Sequence, residues 1–212
     1  MDLKPVIIIG AGGLGKLALD IFELNGSAVY CFLDEDKELH NTEIGEVSVL
    51  GSPDDDGFLK YIGKKCDAFV AVDDVFYKKS LIELLNDRRK VMPANAVHPQ
   101  AIVSATASLG YGNLIAAKSV VSTGVNIKHH CLINAGAVID YNVKMHDFVQ
   151  IGAGAIINSG VEIEEGAFIG SGAILVSGIK IGKNARIGAG SVVVKSVEEE
   201  ETVFGNPAQT VK

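Results

Sequence analysis

The chain has 212 residues, 48% of them apolar, and a formal net charge of −7, which allows one large domain or two small ones with substantial cores. The acidic balance excludes a general nucleic-acid binder, which needs a basic face. No apolar run reaches the ~18 residues of a membrane span, and the start, "MDLKPVIIIGAGG", lacks the charged region, long apolar core and small-residue cleavage site of a signal peptide.

Residues 1–96 alternate strand-like and helix-like stretches. "PVIIIG" (5–10) is a short apolar run ending in glycine, the pattern of a buried parallel strand. "KLALDIFELNG" (16–26) predicts a helix with Leu17, Ile21 and Leu24 on one face, stopping at Asn25-Gly26. "AVYCFLD" (28–34) and "DAFVAVD" (67–73) are the next strands, and "YKKSLIELLNDRRK" (77–90) is a helix with basic residues at its favourable C-terminal end. Strand, helix, strand in this order implies a parallel sheet covered by helices. The three cysteines, Cys31, Cys66 and Cys131, show no CxxC spacing; they suit a reducing cytoplasm and read as small apolar filler.

From residue 97 the period becomes six. Every sixth residue from Val97 to Val193 is large and apolar, seventeen in all. Four positions later stands a residue that is usually small or β-branched, such as Ala137, Ala155, Ala167, Ala173 or Ala185, often preceded by Gly or Asn. A six-residue period belongs to a β-helix: short strands, tight bends, three faces and about eighteen residues per coil. The large residue fills the interior, the small one fits the corner, and Gly or Asn permits positive φ at the bend. Seventeen hexads make a prism roughly 27 Å tall at ~4.8 Å per coil.

Gly10, Gly12 and Gly15 satisfy GxGxxG, and Asp34 lies 19 residues after Gly15. Such glycines let a phosphate approach the backbone, the helix start offers free N–H groups, and the acid accepts from a sugar hydroxyl or a base N–H. The alternative is a tight turn without a ligand. A nicotinamide oxidoreductase fits poorly, because about 95 residues leave too little for two mononucleotide halves.

The "GAGGLG" turn, "FLD" closing the second strand, "VHPQAIVSATASLGYGN" entering the prism and "GNPA" near the end together resemble bacterial nucleotide-sugar acetyltransferases of the PglD/NeuD type over essentially the whole chain. The resemblance implies an α/β Rossmann-like nucleotide-sugar-binding domain at 1–96. It implies a left-handed parallel β-helix of hexapeptide repeats, the acyltransferase domain with a C-terminal tail, at 97–212. It further implies a homotrimer, acetyl-CoA as co-substrate along the prism, and transfer to an amino sugar in surface-glycan synthesis. Gly12, Gly13, Leu14, Asp34, Glu35 and Asp73 would line the sugar-nucleotide site, with Leu14 where the family has His and Asp73 where it has Gly. Ser171 and Ala189 would contact CoA, the glycines at 152, 170, 172, 188 and 190 leaving amides open to the pantetheine arm. Gln209 replaces the basic residue usual near a CoA phosphate, a charge that Lys180, Lys183, Arg186 or Lys195 could supply.

At the catalytic bend the chain departs from the family. Tyr141 falls on the catalytic histidine, Asn142 on its acidic partner, and Gln150 on a second, substrate-contacting histidine. Tyrosine, with an ordinary pKa of about 10, is a poor base at neutral pH, so His146 is the candidate replacement. His129 and His130 read more simply as exposed bend residues, with Asp147 placed to pair with a histidine stacked beneath it such as His129. No HxH spacing recurs on one face, so no metal site is expected. The competing reading is a trimeric paralogue that binds nucleotide sugar or CoA without turnover.

Overall fold

The structure, a computed structural model, describes residues 4–211; residues 1–3 and 212, the outermost positions of the two expected domains, lie outside the described residues. The chain forms two compact units, Met1–Pro99 and Gln100–Lys212. Among the described residues no helix is long and apolar enough to cross a membrane.

The first unit is built on strands β1 (Val6–Ile9), β2 (Val29–Leu33), β3 (Glu43–Ile44), β4 (Val47–Gly51) and β5 (Asp67–Val70), in sheet order β3-β4-β2-β1-β5. Strands β4, β2, β1 and β5 are parallel; β3 is an antiparallel edge formed by a hairpin with β4. All four residues of β1 are buried, which is why that segment reads as an unbroken apolar run. Helix α1 spans Gly13–Leu24 and helix α3 Val75–Arg89, with a short α2 at Asp56–Leu59 between them.

Helix α1 starts three residues earlier than expected, and its buried stripe is Leu14, Ala18, Leu19, Ile21 and Phe22. Leu24 is 60% exposed. The expected stripe of Leu17, Ile21 and Leu24 was therefore rotated, because Ala18 and Phe22, not Leu17, take the sheet side. The helix stops where Gly26 adopts φ +76°. Helix α3 is capped by the Asp74 carboxylate, which accepts the Tyr77 N–H at 2.7 Å. Arg88 and Arg89 close its last turn, and the Arg89 guanidinium donates to the Ile62 carbonyl at 2.8 Å. Cys31 and Cys66 pack in the core between sheet and helices. Burial, with the nearby Cys66 adding, pushes the Cys31 thiol up to about 12, so it is an inert filler.

In the second unit two-residue strands recur every six residues from Ile102–Val103 to Val192–Val193, and as far as Ile174–Leu175 each pairs in parallel with the strand eighteen residues on. They form three sheets, the faces of a left-handed prism. All seventeen residues of the expected inward series end a strand, counting Val97 in Ala96–Val97. Ile139, Ile157, Ile163, Ile169 and Ile181 are fully buried, as are the corner residues Ala137, Ala155, Ala167, Ala173 and Ala185.

The outward residues distinguish the faces. One is aliphatic: Ile102, Val120, Val138, Ile156, Ile174 and Val192. The next is polar and charged, with Asn126, Lys144, Glu162 and Lys180 in register. The third aligns Leu132, Gln150, Phe168 and Arg186. Most bends carry glycine or asparagine at positive φ, but Lys118, His130 and Phe148 also take φ near +60°. A hairpin of Thr202–Gly205 and Ala208–Thr210 caps the third face above Arg186–Ile187.

Candidate functional site

The six residues expected to line a sugar-nucleotide site do converge. Gly12, Gly13, Leu14, Asp34, Glu35 and Asp73 border one cavity of about 250 Å³ at the C-terminal ends of β1, β2 and β5. The four glycines of the turn have different duties. Gly10 has φ +107°, and a Cβ there or on Gly15 would collide with the Ala71 or Gly10 carbonyl oxygen. Those two glycines serve the chain path. Gly12 and Gly13 meet nothing within 4 Å, so their lack of a side chain leaves open space at the start of α1, where Gly12 provides no side-chain cap. Uncapped helix N–H groups beside open space suit an anion.

The Asp34 carboxylate braces this turn. One oxygen accepts the Ala11 N–H at 2.7 Å and the other the Asp36 N–H at 2.9 Å, each keeping a second lone pair for a ligand. Tyr77, from the first turn of α3, also lines the cavity. Burial first, then the hydrogen bond its hydroxyl gives Glu35, then the charges of Glu35, Asp34 and Asp54 raise the phenol above its ordinary range. Sequence reasoning missed Tyr77; its only signal was a position three residues after an N-capping aspartate.

On the prism, Tyr141 and Asn142 form the bend between the aliphatic and charged faces. Tyr141 is 49% exposed, and its N–H donates to Asp140 Oδ1 at 2.8 Å. Asn142 takes φ +58°. A second cavity, about 580 Å³, opens on the charged face and is lined by Gly124, Asn126, Lys128, Asn142, Lys144, Met145, His146 and Glu162. It brings Asn142 and His146 together; Tyr141 is not among its lining residues.

His146 has acidic partners that the sequence did not single out. Its Nε2 is 3.3 Å from Glu162 Oε1 and 3.8 Å from Glu164 Oε2. Glu164 is also held by Lys180 Nζ at 2.6 Å. That bond first, and the charge of His146 after it, draw the Glu164 carboxyl below its usual range, while the Lys180 ammonium is raised. A carboxylate beside an imidazole fixes its tautomer and orientation. His146, Glu162 and Glu164 have ligand atoms within 4.8 Å of one another, yet Lys180 already neutralises one of the carboxylates, which weighs against a cation.

His129 and His130 pack against neighbouring rings of the prism. His129 Nδ1 accepts the Tyr111 N–H at 3.0 Å, and the two rings stack 5.5 Å apart. Asp147 accepts the His129 backbone N–H at 2.8 Å, so the expected pairing uses the main chain and not the imidazole. His130, expected to be exposed, is buried and stacks on Phe148 at 5.1 Å.

At the corner between the third and aliphatic faces, Ser171 and Ala189 stack one coil apart, the Gly190 N–H donating to the Ser171 carbonyl at 2.9 Å. Gln150 stands on the third face in register with Phe168. One expectation fails here. The N–H groups of Gly152, Gly170, Gly172, Gly188 and Gly190 all donate to carbonyls of adjacent coils at 2.7–2.9 Å, because each coil hydrogen-bonds the next. Gly152 and Gly170 are small because the backbone at Ser171 and Ala189 passes over them. Of the four candidate cations, Lys180 pairs with Glu164 and Lys183 with Glu165 at 3.6 Å, whereas Arg186 lies over the Phe168 ring at 4.9 Å.

A phosphate-ready strand-turn-helix unit followed by a hexapeptide prism defines a two-part hexapeptide-repeat transferase. Residues 5–85 match the PglD N-terminal domain, and residues 142–177 and 160–195 match the bacterial transferase hexapeptide (six repeats). Its first unit thus carries a PglD N-terminal domain and its second the hexapeptide repeats of bacterial transferases. No match is found among curated proteins. Among solved structures, PerB from Caulobacter crescentus, in complex with CoA and GDP-perosamine, is 28% identical with TM-score 0.88, covering 100% of this chain and 99% of that one. The acetyltransferase domain of PglB from Neisseria gonorrhoeae FA1090, in complex with acetyl coenzyme A, is 28% identical with TM-score 0.90, covering 99% and 100%. WeeI from Acinetobacter baumannii AYE, at 24% identity and TM-score 0.84 over 98% and 99%, shares the fold.

Proposed function

We propose that the protein transfers the acetyl group of acetyl-CoA to the amine of a nucleotide-linked amino sugar for surface-glycan synthesis, acting in the cytoplasm as a homotrimer. The observation that carries this reading is the convergence of all six expected residues on the cavity at the GxGxxG turn, in a chain that matches PerB and PglB over its full length. Gly12, Gly13 and Leu14 would present the α1 amides to the diphosphate, and Asp34, Glu35 and Asp73 would accept from ribose and base. Ser171, Ala189 and Gln150 would flank the CoA arm.

In the reaction the amine nitrogen attacks the thioester carbonyl carbon, the C–S bond breaks as the tetrahedral intermediate collapses, and the amine proton passes to a base while the CoA thiolate leaves. His146, beside Glu162, takes the role of that base. Asn142, in the same cleft, and Tyr141, at the same bend, hold substrate rather than take the proton. A free amine makes this workable, since it needs less help than a hydroxyl to attack a thioester.

The aliphatic face supports the oligomer. Its six outward residues are all Ile or Val, with Ile102 67% and Ile156 38% exposed, a continuous stripe of the kind that marks an interaction surface. Light scattering should give three chains, and Ile156→Asp should give one; a wild-type monomer would refute the oligomer. The activity is tested by thiol release from acetyl-CoA with GDP-, UDP- and dTDP-linked amino sugars. Acetylation of at least one is expected; no turnover above background with any of them would overturn the proposal.

A further inference from the structure

We propose that Arg186 is the cation that holds a phosphate of CoA in this protein; the inference rests on the transferase reading above. CoA ends in a diphosphate and a ribose phosphate, and an anion of that density needs at least one cation along its track. The track itself is lined by Gln150, Ser171 and Ala189, and the hairpin that closes it carries the neutral Gln209.

Position and availability select Arg186. It is the outward residue of its strand on the third face, in register with Phe168 below and Thr202 of the closing hairpin above, and three residues before Ala189. Lys180 and Lys183 each hold a glutamate, and Lys195 follows the strand Val192–Val193 of the aliphatic face, one corner away from the track. Among the described residues Arg186 has no carboxylate within salt-bridge range and no side-chain hydrogen bond, so its five N–H donors remain for a ligand.

It is also pre-positioned. The guanidinium lies over the Phe168 ring with its carbon 4.9 Å from the centroid. A cation over an aromatic face is held there without losing any donor, which reduces the ordering needed when phosphate arrives. The guanidinium fork then matches two phosphate oxygens at once, which a lysine would not do.

The test is Arg186→Gln, compared with Lys183→Gln, assayed with acetyl-CoA, acetyl-dephospho-CoA and acetyl-pantetheine. Arg186 is exposed, so the variant should fold. The KM for acetyl-CoA should rise about tenfold, the low end for a charge-assisted bond, with kcat and the sugar KM unchanged and Lys183→Gln silent. Acetyl-pantetheine, lacking both phosphates, should show no penalty. Retention of the penalty with the dephospho compound assigns the contact to the diphosphate, and its loss assigns it to the ribose phosphate. An unchanged KM, or an equal penalty on acetyl-pantetheine, overturns the inference. Failure of the wild type to bind CoA in calorimetry overturns the transferase reading as well, and so separates the two.

Discussion

Replacing His146 by Asn keeps a polar side chain of similar size on the bend and removes the only proposed base in the cleft. Loss of a positioned general base costs about 10²–10⁴-fold. An amine acceptor puts this protein at the low end, so kcat should fall about 10²-fold. The partner is worth far less. The His146–Glu162 contact is 3.3 Å long, but the two side chains are 39% and 37% exposed. Water screens such a pair to ~0.2–1 kcal/mol, so Glu162→Gln should lower kcat roughly 1.4–5-fold. Tyr141→Phe should have an effect no larger than that, because the phenol is assigned to positioning. Steady-state thiol release at saturating acetyl-CoA and sugar measures all three. The reasoning fails if His146→Asn keeps more than half of the wild-type kcat, or if Tyr141→Phe is the more damaging change.

The glycine turn offers a matched pair of substitutions. Gly12→Ala adds a methyl with no neighbour within 4 Å, so thermal unfolding should be unchanged while nucleotide binding in calorimetry is blocked. Gly15→Ala drives a methyl into the Gly10 carbonyl and should lower stability whether or not ligand is present. Inside the prism, Ile163→Ala removes a fully buried side chain and should destabilise by about 2–5 kcal/mol in urea titration. Tyr77→Phe deletes the hydroxyl that binds Glu35; it should reduce stability by about 1 kcal/mol and weaken nucleotide binding, with acetyl-CoA affinity unaffected.

The prism was readable because its rule is local: every sixth side chain meets an interior that is the same from coil to coil, so no distant partner has to be known. The convergence at the glycine turn was readable for a related reason, since the residues bordering that cavity cluster at the ends of three strands that the apolar runs already marked. What escaped depends on neighbours across the chain. Tyr77 matters through Glu35, 42 residues earlier. Phe148 adopts a left-handed backbone that a bulky residue disfavours, and its stacking on His130, 5.1 Å away one coil below, is a contact between residues eighteen apart. The glycine amides were misjudged because coil-to-coil stacking decides which N–H remains open.

The cleft on the charged face shows that such neighbours still obey a rule. On the charged face a corner residue meets the outward strand residue sixteen positions later, one coil up and slightly back. His146 meets Glu162, and Glu164 meets Lys180, by that same offset. One coil below, the offset joins Lys128 to Lys144, and both line the cleft. Two ammonium groups gain nothing by approaching each other, so this position, unlike the two above it, has no ion pair to close it. The cavity beside His146 lies where the alternation of charge along that offset is broken, and Lys128 and Lys144 both line it.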